Sequence, residues 1–255
     1  MKRVRALTRV ALTAAAVLAA GTHARAADVV VFAAESLEPA WRELVPHFER
    51  STGDRVTAFF ANLGTNAERV RKGDAADVVI VSPPQWQTLQ QQGKVDLAMR
   101  AMIAKVGVGV FARRGAVRPD IGTVDALKRA LLDARAIALR DPGRGSPVGA
   151  TVTALFARLG IAEAVKPKLY LTDDRPFRAV LDGHAELGFS TLVEIVATPE
   201  VDLVGPVPAE VQNFITLVAG IPANATTPAA ARALIEFLRS PRALSVLKAK
   251  GFETD

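Results

Sequence analysis

Two hydroxyl residues, Ser36 and Thr65, stand just after apolar runs, where a strand would hand over to a helix. A helix N-terminus carries unsatisfied N–H groups and the positive end of the helix dipole, so a hydroxyl there helps to hold an anion. The same hydroxyl can simply cap its own helix, and the two roles can coexist. Arg140, Arg144, Arg175 and Arg178 lie in or beside neighbouring loops. A guanidinium fork matches a carboxylate or phosphate with two parallel hydrogen bonds. Arg144 and Arg175 lead among them because each sits in a turn after a strand, and a solvated surface cation is the alternative for each. Asp173-Asp174 is an acidic pair, but adjacent residues in a turn suit solvent better than metal binding or acid/base work.

Chemistry of other kinds lacks its residues. The chain has no cysteine, no G-x-S-x-G, no H-E-x-x-H and no phosphate-binding loop. His47 lies beside Phe48 on a helical pattern and His184 follows Gly183 in a turn, neither with a partner close in sequence. No enzyme, cofactor or metal site is expected.

The N-terminus bears on the compartment. Lys2, Arg3, Arg5 and Arg9 form a basic start, the stretch from Ala6 to Ala20 is almost wholly apolar, and Ala24-Arg25-Ala26 offers small residues for cleavage. This is the pattern of a secretory signal peptide over residues 1–26, and the run is too short to serve as a membrane span. Five of the basic residues behind the net charge of +6 lie in that segment with no acid, leaving the remainder at +1. A nearly neutral chain with interspersed charges has no electrostatic footprint for nucleic acid. A monomeric periplasmic protein, with no cysteine to carry a disulfide or a lipid, is the expectation.

Asp28 to Ala34 is apolar on both parities, as in a strand of a parallel sheet buried on both faces. Leu37, Trp41, Leu44, Val45 and Phe48 follow at helical spacing, with Ser36 as the expected N-cap. Arg55 to Phe60 reads as a strand, Asn62-Leu63-Gly64-Thr65 as a turn, Asn66 to Lys72 as a helix and Asp77 to Val81 as a third strand, with another helix following to Gln92. Right-handed β-α-β-α-β crossovers make a doubly wound sheet. An apolar run from Val106 to Phe111 and a second from Asn213 to Ile221 are read as crossings between two lobes. The expected fold is therefore two doubly wound α/β lobes joined by a hinge, residues 27–106 plus 214–255 forming one and 107–213 the other. The cleft would lie at the C-terminal ends of the strands.

Several segments, in order, resemble those of the periplasmic molybdate-binding family, within the type II periplasmic-binding fold. Phe32-Ala33-Ala34-Glu35-Ser36-Leu37 is similar to the family's F-A-A-A-S-L junction, and Ala75 to Ser82 to its A-D-[LV]-[FV]-I-S segment. Asp141-Pro142 with Pro147-Val148-Gly149 resembles D-P-x-x-x-P-A-G, and Phe60 to Thr65 sits where the family has a serine pair. The resemblance implies a solute-binding protein that delivers a small anion to an inner-membrane ABC transporter permease. It also implies ligand contacts at Ser36, at Asn62, Leu63, Gly64 and Thr65, at Val148 and Gly149, at Asp174 and Arg175, and at Thr191.

The departures bear on the ligand. Leu63 falls where the family has its second serine and offers only an amide, while Thr191 falls near a pocket-closing tyrosine. The loop holding Arg144 is one residue longer than the family's. A proton-free tetrahedral oxyanion needs a full cage of neutral donors, so these losses keep a small organic acid beside molybdate or tungstate as the alternative. A hydrolytic or lyase enzyme on the same fold is the alternative of another class.

Overall fold

The computed structural model describes residues 26–254, so all but the last residue of the expected signal peptide lies outside them. In chain order the elements are β1 (Asp28–Ala34), α1 (Glu38–Thr52), β2 (Arg55–Ala61), α2 (Leu63–Lys72), β3 (Val78–Val81), α3 (Pro83–Gln91), β4 (Val95–Val106), β5 (Val108–Arg113) and α4 (Val124–Asp133). There follow β6 (Ile137–Arg140), α5 (Pro147–Arg158), α6 (Ala162–Val165), β7 (Leu169–Thr172), α7 (Phe177–Leu181), β8 (Leu187–Thr191) and α8 (Leu192–Val196). The chain closes with β9 (Val201–Pro206), β10 (Ile215–Pro222), α9 (Pro228–Leu238) and α10 (Pro241–Ala249).

Two five-stranded sheets result, ordered β2-β1-β3-β10-β4 and β7-β6-β8-β5-β9. Each has a parallel trio joined through helices, and an antiparallel strand, β10 or β5, pairs beside it. This is the doubly wound two-sheet architecture of type II periplasmic-binding proteins. Each sheet with its helices is called a lobe below.

Both faces of the first sheet are dry. Val29, Val31 and Ala33 pack with Leu37, Trp41, Leu44 and Phe48, while Phe32, Val79 and Val81 pack on the other side against Trp86 and Leu89. Burying such a side chain contributes about 1.5–3 kcal/mol, so these strands are held by packing more than by propensity. Two buried polar side chains fix the sheet ends. Asn66 donates from Nδ2 to the carbonyls of Ala33 (2.9 Å) and Ile80 (3.2 Å), tying α2 to the ends of β1 and β3. The Asp77 carboxylate accepts from the N–H groups of Val30, Thr226 and Thr227, tying β1 to the start of α9.

The local boundaries differ from expectation in instructive ways. Ser36 is not an N-cap: Glu35–Leu37 form a 3-10 turn, and α1 begins at Glu38 with Leu37 before it. Pro39 in the first turn of α1 presets the helical φ and sets that start. The expected Asn62–Thr65 turn is instead the head of α2, because the Asn62 side chain accepts from Thr65 N–H at 2.9 Å and caps the helix early. Ser146 likewise caps α5, which begins at Pro147. The Val106–Phe111 run is split at Gly107 into the end of the long β4 and the start of β5. β7 and β9 are the edge strands of the second sheet, and Tyr170 and Leu171 on β7 are exposed.

Candidate functional site

The C-terminal ends of β1, β2, β6 and β8 converge on a narrow cleft of about 40 Å³ between the lobes. Its polar lining comes from Glu35, Ser36, Asn62, Arg140, Ser146 and Thr191, with Glu194 at one side. Leu63 and Val148, in the first turns of α2 and α5, supply carbon.

Ser36 is buried, and its hydroxyl makes no hydrogen bond to any other described residue. Because it caps no helix, that hydroxyl is available to the cleft. Thr65 is exposed and outside the lining, its hydroxyl accepting from Asn62 Nδ2 at 2.9 Å. Gly64 is a backbone contact between lobes, for a Cβ there would lie 2.3 Å from the Gly145 carbonyl oxygen. The Gly149 N–H is taken by Ser146 Oγ at 3.1 Å, and a Cβ on Gly149 would come within 2.3 Å of the Arg140 carbonyl. Gly149 thus lets α5 seat against the end of β6. Thr191 caps α8 and donates from Oγ1 to Glu194 Oε2 at 2.7 Å.

The arginines divide sharply. Arg144 is 61% exposed and pairs with Asp173 at 2.7 Å, away from the cleft. Arg178 is exposed as well, beside Asp182. Arg140 closes β6, lines the cleft, and has a side chain only 9% exposed. Its Nη1 donates to Glu35 Oε2 at 2.8 Å and its Nη2 to Asp174 Oδ1 at 3.1 Å, while the buried Nε has no partner. Asp174 is almost fully exposed, so its share of that pairing is worth little, whereas the Glu35 side chain is only 13% exposed. A buried arginine stripped of its acid would cost about 3–5 kcal/mol, so Glu35 is what keeps Arg140 in place.

Arg175 lies behind this pair, 3.5 Å from Glu35, 3.7 Å from Glu38 and 3.7 Å from Glu194. Burial works against its charge, but Glu35, Glu194 and Glu38 outweigh that and raise its guanidinium above the ordinary value. The ion pairs of Arg140 and Arg175 with Glu35 join the second lobe to the first, as does the hydrogen bond from Gln85 Nε2 to the Gly145 carbonyl at 3.2 Å.

Sequence reasoning did not single out Glu35 or Glu194, and it ranked Arg140 behind its neighbours. Two signals were present: a charge ending the apolar strand Ile137-Ala138-Leu139-Arg140, and a glutamate where the similar junction has alanine. Among the described residues no group of His, Cys, Asp and Glu is placed to hold a metal ion. His47 Nδ1 accepts from Arg50 Nη2 at 2.8 Å, and His184 stacks on Tyr170, both away from the cleft lining.

Comparisons with known proteins agree with this architecture. An aconitate isomerase of a Pseudomonas species is 28% identical over 218 residues, covering 83% of this chain and 82% of that one. The molybdate-binding protein ModA of Escherichia coli is 26% identical over 229 residues, covering 88% of each. Among solved structures, the Azotobacter vinelandii periplasmic molybdate-binding protein superposes with a TM-score of 0.74 at 20% identity, over 89% of this chain and 99% of that one. The sulfate-binding protein SubI of Mycobacterium tuberculosis gives 0.72 at 19%, over 89% and 87%. The sequence profile of bacterial extracellular solute-binding proteins matches residues 29–253, nearly the whole of the described chain, and the protein belongs to that family.

Proposed function

We propose that this protein is exported to the periplasm and captures a small organic anion, presenting it to the permease of an ABC-type importer, with Arg140 as the carboxylate anchor. The carrying observation is the buried Arg140 guanidinium on the cleft wall, whose Nε lacks a partner. An oxyanion cage of the molybdate type is supported less well. Leu63 turns carbon to the cleft, Thr65 is exposed, and Glu35 and Glu194 bring acceptors where a proton-free oxyanion needs donors. A relative named for aconitate, a tricarboxylate, favours the carboxylate class.

Turnover is not part of this reading. Glu35 is bound by two arginines and Glu194 by two hydroxyls and Arg175, an arrangement suited to accepting hydrogen bonds rather than removing a proton from carbon. Thermal shift of the unfolded-and-refolded protein against di- and tricarboxylates, molybdate and tungstate tests the ligand class. A ligand at 100 times its Kd adds about 2.7 kcal/mol of stability. Stabilisation by the metal oxyanions alone would replace the carboxylate reading. Proton NMR of cis-aconitate incubated with the protein tests turnover, and appearance of the trans isomer would make it an enzyme.

A further inference from the structure

We infer that Glu35 is the specificity-determining residue of the cleft: it rejects fully deprotonated oxyanions and selects carboxylates that also present a hydrogen-bond donor, a hydroxyl or a carboxyl that keeps its proton. The inference rests on the carboxylate reading and names the ligand class within it.

Two open groups on one ion pair carry the argument. Glu35 Oε2 takes both its contacts, from Arg140 Nη1 at 2.8 Å and Arg175 Nε at 3.5 Å. No described residue donates to Glu35 Oε1, although the side chain is only 13% exposed and lines the cleft. Arg140 Nε is the matching donor, buried and without a partner. The ion pair therefore leaves an acceptor without a donor, Glu35 Oε1, and a buried donor without an acceptor, Arg140 Nε, on residues 105 apart in sequence and on opposite lobes. An ionised carboxylate only accepts. A ligand oxygen without a proton, brought against Glu35 Oε1, would meet lone pairs and a like charge in a partly dry site, where an unmatched polar contact is costly. Glu194 extends the same bias, since Oε2 is filled by Ser190 and Thr191 and the side chain is only 10% exposed. A ligand with a carboxylate for Arg140 and a donor for Glu35 satisfies both groups at once. The narrow cleft, about 40 Å³, favours a small acid.

The test uses pairs of acids that differ by one hydroxyl, malate against succinate and citrate against tricarballylate, together with molybdate and sulfate, by calorimetry on the full mature chain at neutral pH. The wild type should bind the hydroxylated member of at least one pair tenfold or more tighter than its partner, and neither inorganic anion. Glu35→Gln supplies an amide that donates as well as accepts, and it should shrink the gap to threefold or less. Hydroxylated and plain acids bound alike by the wild type would overturn the inference and leave the carboxylate reading standing. Binding of molybdate or sulfate with no acid bound would overturn both, as would binding of none of the six. A gap unchanged in a folded Glu35→Gln protein would also overturn the assignment to this residue, whereas the wild-type comparison stands even if that variant does not fold.

Discussion

The backbone of Gly64, in the first turn of α2, meets the carbonyl of Gly145, in the loop before α5, with no room for a side chain between them. Gly145 has φ of +76°, a conformation that glycine adopts without strain, so both partners of this contact between lobes require glycine. Gly64→Ala places a methyl 2.3 Å from the Gly145 oxygen. The lobes should then fail to close fully, at a cost of about 1–3 kcal/mol to the closed form. Ligand affinity should fall roughly tenfold or more. Small-angle scattering with ligand should give a larger radius of gyration than for the wild type, and an unchanged affinity would show that the contact plays no part in capture.

Ser36 offers a cleaner probe because its hydroxyl supports no helix. Ser36→Ala should weaken binding by about 1–3 kcal/mol, the usual consequence of leaving a buried anion short of a donor. The melting temperature without ligand should stay nearly constant, since no cap is lost. A lowered melting temperature with full affinity would reverse this assignment.

Asp77 links folding stability to acid. Burial pushes its carboxyl up, but the N–H groups of Val30, Thr227 and Thr226 outweigh burial and hold it below the ordinary carboxylate value. A folded pKa below the unfolded one stabilises the native state above the unfolded value of about 3.9. That contribution is lost as pH falls through the lower, folded value. Asp77→Asn should cost roughly 2–3 kcal/mol at neutral pH, since a charged acceptor of several N–H groups is lost. It should also flatten the loss of stability below about pH 4. Urea titrations at several pH values check both, and an acid limb as steep as the wild type's would place the proton uptake elsewhere.

The framework was legible in the chain because it depends on patterns a few residues long. β1 and β3 are apolar on both parities, and the helices that follow them show helical spacing, so the strand-to-helix junctions after these two strands could be placed. Ser36, Leu63, Val148 and Thr191 lie on strand-to-helix junctions and line the cleft. The groups that settle its charge lie elsewhere in the sequence. Glu35 meets Arg140 across 105 residues, a pairing no short segment of sequence contains. Arg144 and Arg140 are four residues apart, yet one pairs with Asp173 in solvent and the other is buried. No local pattern separates them.

That contrast supplies the decisive pair of substitutions. Arg144→Lys keeps the charge of an exposed pair worth about 0–1 kcal/mol, so affinity and stability should both hold. Arg140→Lys keeps the charge too, but an ammonium cannot span Glu35, Asp174 and a ligand as the planar fork does. Carboxylate binding should drop by tenfold or more, with some stability lost because Glu35 is left short of its partner. Calorimetry on the two variants with the tightest-binding acid reads the difference directly. Equal affinity in both would remove Arg140 as the anchor, and would return the cleft to a cage in which amides and hydroxyls alone hold the anion.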